Sequence, residues 1–319
     1  MKILFVTATR IGDAVLSTGL LGHLIERYPG ARLTIAAGPL AAPLFEAVPG
    51  LERLIVMEKR ERRLHWLDLY RRVVAARWDL AVDLRGSALV YLLWARERRV
   101  MAKGDASEHR VRQLARLFAL DPPPAPRLWL ARAHEARAAE LLPPGGPVLA
   151  VGPAANWRGK EWRGARFAEL ATRLTSSAGP LAQARVAVLA AAHERPQATP
   201  LLEAIPPARR IDLVGRLDLL TAAAVLRRAA LFVGNDTGLM HMAAAVGTPT
   251  LGLFGPSPAA QYAPWGRLSA IATTTISNAE MFPPGWHNLT TDTMMDSLTV
   301  EAAEAAARRL WERFAGEAA

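Results

Sequence analysis

The chain has 319 residues, 51% hydrophobic and 21% charged, with a formal net charge of +10 and no cysteine. That length exceeds one ordinary core and predicts two domains, while the apolar content argues against wholesale disorder. Disulfides and thiolate metal sites are excluded, and no uninterrupted apolar run approaches the roughly 18 residues of a bilayer span. The basic balance favours polyanionic partners such as nucleic acid, anionic lipid or a phosphorylated substrate, although an Arg- and Ala-rich composition of the kind a GC-rich genome produces explains it equally well.

The opening MKILFVTATRIGDAV changes character after Val6, as a β-strand would, and lacks a signal peptide's cleavage pattern. The expectation is a cytoplasmic protein. Lys2–Thr7 reads as the first strand, followed by a helix over Ala14–Tyr28, where Val15, Leu16, Leu20, Leu24 and Ile25 recur at helical spacing. Further strands are expected at Arg32–Ala37, Arg53–Met57, Leu80–Leu84 and Arg99–Ala102, with a basic helix around Leu64–Ala76. Tyr91-Leu92-Leu93-Trp94 with Arg96, Arg98 and Arg99 is amphipathic enough for membrane-surface contact, with a buried helix as the other reading.

Prolines at 122–124, 126, 143–144 and 147 interrupt the pattern around one helix, His134–Leu142, and place the domain linkage here. The alternation then restarts with strands at Val148–Val151, Arg185–Ala190, Ile211–Val214, Leu231–Gly234 and Thr250–Phe254. Helices follow from Ala165, after His193, over Leu219–Ala229 and after Asp236, and Val300–Phe314 closes the chain as a terminal helix. Two successive parallel-sheet α/β halves follow from this alternation.

The segment Leu231–Gly266 carries the strongest chemistry. A strand runs into Asp236-Thr237-Gly238 and on into a helix, so backbone N–H groups at a positive helix end would face an anion such as a diphosphate. Simple capping by Asp236 or Thr237 is the alternative. His241 lies about one turn into the helix, either beside that anion or as a core histidine. Walker A, H-E-x-x-H and a metal-placed D-x-D are absent from the sequence, and no nucleic-acid-binding module is recognisable. No metal, cofactor or nucleic acid is therefore expected.

Asp236-Thr237-Gly238, His241, Ala243-Ala244, Gly247, Pro249-Thr250 and Phe254-Gly255-Pro256-Ser257 form a gap-free run that resembles glycosyltransferase family 9, the ADP-heptose:lipopolysaccharide heptosyltransferases. The N-terminal Gly12-Asp13-Ala14-Val15-Leu16-Ser17-Thr18 and the loop with Lys160, Trp162 and Arg166-Phe167-Ala168 are similar to the same family. The resemblance implies a GT-B type fold, two Rossmann-like domains facing a central cleft. Residues 1–143 would bind acceptor, residues 144–298 the nucleotide sugar, and residues 299–319 would form a helix packing back toward the first domain.

It further implies an inverting, metal-independent transfer of heptose from ADP-heptose to the lipopolysaccharide inner core. Asp13 would be the general base; an N-cap role is the alternative, and a helix N-terminus favours the ionised carboxylate, which weakens it as a base unless cleft closure desolvates it. Lys160 would neutralise the leaving diphosphate with Asn156 nearby, Glu194 would face the ribose and Leu217 the adenine. Trp162 is expected to pack. Arg10, Arg60, Arg62 and Arg63 suit the acceptor's carboxylates and phosphates, with a solvated helix face as the alternative for the run; Arg85 lies at another loop end. Peripheral contact with the inner membrane's cytoplasmic face is an expected partner interaction. The competing readings are a non-catalytic nucleotide-binding protein on the same fold and a family member using another nucleotide sugar.

Overall fold

A computed structural model describes residues 1–59, 64–102, 104–105, 107–282, 286 and 292–318. The chain divides into two compact units, Met1–Ala131 and Arg132–Ala319. In the first, strands β1 (Lys2–Val6), β2 (Arg32–Ala37), β3 (Leu51–Val56), β4 (Trp78–Asp83) and β5 (Ala95–Val100) alternate with helices α1 (Ile11–Arg27), α2 (Leu64–Val73) and, at the end, α3 (Arg110–Arg116). The sheet is parallel, in the order β3-β2-β1-β4-β5. Leu4, Val6, Ile55, Leu69, Val73 and Ala81 share one core cluster. Strand β5 begins four residues before the expected Arg99, because its ladder pairs Trp78 with Ala95 and Asp83 with Val100. Its sequence, ARERRV, is that of a solvated edge strand, whose charges discourage further pairing and hide the apolar pattern.

The second unit begins with α4 (Arg132–Leu141) and continues β6 (Val148–Gly152), α5 (Gly164–Thr175), β7 (Arg185–Val188), α6 (Arg195–Ala204), β8 (Arg210–Asp212) and α7 (Leu219–Arg227). It closes with β9 (Leu231–Asn235), α8 (Gly238–Ala245), β10 (Thr250–Phe254), α9 (Ala259–Tyr262), β11 (Ser269–Thr273), α10 (Asn278–Met281) and α11 (Val300–Ala318). Its parallel sheet runs β11-β10-β9-β6-β7-β8. Both sheets are doubly wound: the chain starts near the middle, builds to one side, then returns to build the other. The first sheet reverses between β1 and β4, the second between β6 and β9, and in such sheets ligands bind beyond the strands' carboxyl ends at that reversal.

The boundary falls at 131/132 rather than 143/144, because α4 packs on α7 and Glu135 pairs with Arg227. The terminal helix α11 lies on α5, β10 and β11 of its own unit. Val300, Ala303, Ala307 and Leu310 make its buried stripe at helical spacing. Among the described residues, no helix is long and apolar enough to cross a membrane.

Candidate active site

At the reversal of the second sheet, Gly152 of β6 pairs with Gly234 of β9, so the loops leaving these strands emerge side by side. The β9 loop is only Asp236 and Thr237 before α8 begins. Thr237 is the N-cap by position but makes no side-chain cap bond, and its buried hydroxyl has no hydrogen-bond partner. The first-turn N–H groups of α8 lack intrahelical acceptors by geometry. Capping by Thr237 is thus not how this junction is built. At the other end, Gly247, at φ 85°, takes the left-handed turn that ends α8, with Thr248 N donating to Ala243 O.

Asp236, 7% exposed, receives the Lys160 ammonium on Oδ2 at 2.6 Å. His241, buried on α8, brings Nε2 to 3.8 Å from the other carboxylate oxygen. A cation, a carboxylate and an imidazole therefore meet at the positive end of a helix. Lys160 reaches this point because its turn, Arg158–Lys160, is tied down on three sides. Asn235, fully buried, accepts from Trp162 N and donates to Pro153 O, joining the two loops. Trp162, also fully buried, packs edge-on against Phe167 and donates Nε1 to Leu298 O. The segment 292–298 straps the outer side: Met294 N donates to Gly159 O, Thr293 Oγ1 to Glu161 O, and Asp292 and Asp296 hold Arg158 and Arg163.

Charge within the strap is shaped by these contacts. Asp296 lies below the ordinary carboxyl range chiefly because Arg163 donates to it. Asp292 is lowered by the Thr293 backbone N–H first and then by Arg158 and Arg163. Burial pushes Glu161 upward, opposed by Arg158 and by the amide of Gln197.

The remaining residues expected on the donor side follow β6, β7 and β8 at the carboxyl edge of the same sheet. Asn156 is exposed on the β6 loop. Glu194, after β7, closes its own turn by accepting Ala191 N at 2.8 Å. Leu217, half-buried, follows β8 on a loop drawn to the β7 loop by Gly215 N donating to Ala190 O. Asn235 is the member that motif reading passed over as a site residue; an amide ending the apolar run of β9 was its only signal in the sequence.

In the first unit, Asp13 occupies the first turn of α1, partly exposed, and the N-cap is Arg10, whose backbone is extended and whose side chain makes no cap bond. The N-cap alternative for Asp13 is thereby excluded by position. Arg10 is exposed beside it. Arg60, Arg62 and Arg63 lie outside the described residues.

Two doubly wound parallel sheets, the second carrying an anion-ready helix end at its reversal, define a GT-B type α/β protein. Residues 55–283 match the profile of glycosyltransferase family 9 (heptosyltransferase). The chain belongs to that family and is a glycosyltransferase. It is similar to lipooligosaccharide heptosyltransferase 2 of Haemophilus influenzae, 24% identical over 302 residues that cover 83% of this chain and 86% of that protein. Among solved structures, it resembles the family 9 glycosyl transferase of Veillonella parvula, with TM-score 0.78 and 18% identity over 98% of this chain and 97% of that one. The E. coli ADP-heptose lps heptosyltransferase II superposes with TM-score 0.75 and 22% identity over 98% and 99%. At these identities, the two structures establish the fold.

Proposed function

We propose that the protein is an inverting heptosyltransferase that moves heptose from ADP-heptose to the inner core of lipopolysaccharide. The Lys160–Asp236 pair over the uncapped N-terminus of α8 carries this reading. The diphosphate takes the first-turn N–H groups of α8, the Thr237 hydroxyl and the Lys160 ammonium, and the nucleoside extends past Glu194 toward Leu217. In the transfer step, the acceptor oxygen attacks the anomeric carbon opposite the phosphate, Asp13 takes the hydroxyl proton, and the C–O bond electrons leave on ADP. Because charge grows on the departing phosphate, Lys160 and the helix end act most strongly in the transition state. They occupy the role a divalent ion would otherwise fill, so the reaction is proposed to be metal-independent.

Relatives named as lipopolysaccharide and lipooligosaccharide heptosyltransferases support the acceptor class. Peripheral membrane contact is supported by Tyr91, Leu92 and Trp94, which stand 65%, 67% and 68% exposed. Arg98 donates to the carbonyls of Val90 and Leu93, holding this turn rigid, and Arg77 lies over the Trp94 ring. Leu89, Val90 and Leu93 are buried beneath it, so the segment is a short turn with an outward apolar tip rather than a buried helix.

The test is transfer from ADP-heptose to a lipopolysaccharide truncated before its heptoses, followed by mass gain, in EDTA. Product of inverted anomeric configuration is expected from wild type. ADP binding with no transfer to any acceptor would favour the non-catalytic reading, and turnover with a UDP or GDP sugar would change the donor.

A further inference from the structure

The reversal of the first sheet carries a cation that has no counterpart in the proposed donor chemistry. Leu84 N donates to Val6 O, so the chain leaves β4 directly beside the end of β1, the strand that leads into the helix bearing Asp13. The turn that follows is rigid. Asp83, fully buried, accepts from Arg85 N, Ser87 N and Ser87 Oγ. Gly86 takes φ 64°, and a Cβ there would meet Met101 O at 2.7 Å. This turn presents Arg85, half-buried, with its guanidinium 4.8 Å from the centre of the Trp66 ring on α2.

The guanidinium is incompletely satisfied. Its Nη1 is buried and donates to nothing. Burial also pushes the Arg85 pKa below its ordinary value, only partly offset by the Asp83 carboxylate. A guanidinium stays protonated, so the group remains charged while lacking an acceptor. Leaving a buried N–H of a charged group without an acceptor is destabilising in the free protein, and an oxyanion is the acceptor that relieves it best. Its place at the carboxyl end of the sheet, on the reversal, is where an open α/β sheet receives ligand.

We propose that Arg85 is an acceptor-anchoring residue, which takes a carboxylate or phosphate oxygen of the acceptor and sets that sugar beside the Asp13 strand end. This rests on the reading that the first unit handles an acidic acceptor. Trp66 and the Asp83 turn hold the fork in place before the acceptor arrives, so little ordering accompanies binding. Arg85→Met keeps an unbranched apolar stem while deleting the fork and its contact with the Trp66 ring, and Arg85→Lys keeps the charge without the fork.

The experiment is calorimetric titration of wild type and both variants with de-O-acylated lipopolysaccharide core ending before its heptoses, with ADP titrated in parallel. Arg85→Met should weaken core binding by roughly 10- to 100-fold, Arg85→Lys by less, with ADP affinity unchanged. Dephosphorylated and carboxyl-reduced cores identify the oxyanion: the one that matters should bind wild type no better than Arg85→Met binds the intact core. Melting temperature without ligand should hold or rise in Arg85→Met, whereas a purely structural arginine would lower it. Equal core affinity in wild type and Arg85→Met, or loss of ADP and core binding together, would overturn the proposal. So would failure of wild type to bind the core; retained ADP binding would then leave the donor reading standing.

Discussion

The two sheet reversals treat their cations in opposite ways. In the second unit, Lys160 is matched inside the protein by the buried Asp236, and the turn that carries it is tied down by Trp162, Asn235 and the 292–298 strap. In the first, Arg85 sits on an equally rigid turn but keeps a buried N–H without an acceptor. A paired lysine can wait for a diphosphate and exchange part of its carboxylate contact for phosphate oxygens. An arginine N–H without an acceptor instead marks where an acceptor from outside fits. Preorganisation is common to both; the difference is whether the hydrogen-bond acceptor belongs to the protein or to the ligand.

Separating the chemistry of the two reversals gives the largest expected effect. Asp13→Ala should lower turnover by about 10²- to 10⁴-fold, the usual range for a lost general base, with ADP affinity unchanged by calorimetry. Parallel loss of ADP binding would show that Asp13 does more than accept a proton. Next comes the scaffold under Lys160: Trp162→Ala, which empties a fully buried site, should destabilise the second unit by about 3–5 kcal/mol, read by urea melts. Retained stability would mean that the strap, not the core, holds the turn. Lys160→Ala leaves Asp236 buried without its cation, and should weaken ADP binding by about 1.5–3 kcal/mol, the range for hydrogen bonds to charged groups.

A smaller effect comes from the strap. Asp296 is held below the ordinary carboxyl value of 3.8 by Arg163. A folded pKa below the unfolded one contributes stability above the unfolded value, lost as pH falls through the folded one. The pair is largely exposed, so Asp296→Asn should lower stability at neutral pH by no more than about 1 kcal/mol, less in high salt. That difference should close as the pH is taken below about 4 in thermal melts; a difference independent of pH would assign it to something other than the ion pair.

Many of the strands were legible because both sheets are buried on two faces, so β1, β2, β6, β9 and β10 appear as short apolar runs. Edge strands lack that signal: ARERRV of β5 was placed too late, and SAIAT of β11 was missed. The domain boundary was hidden because α4 is mostly polar and meets α7, far along the chain. In the site, Lys160 and Asp236 were readable as residue types at family positions. Their direct pairing, and Asn235 holding the two loops together, depend on strands β6 and β9 being neighbours, which no local pattern specifies.

In the proposed function the second reversal binds a nucleoside diphosphate through Lys160 and the end of α8. It is tested most directly by titrating wild type and Lys160→Ala with ADP, UDP and GDP in EDTA. Selective binding of ADP by wild type, without metal and weakened in Lys160→Ala, is the expected result. Binding that requires a divalent ion, or that is identical in the two proteins, would contradict it.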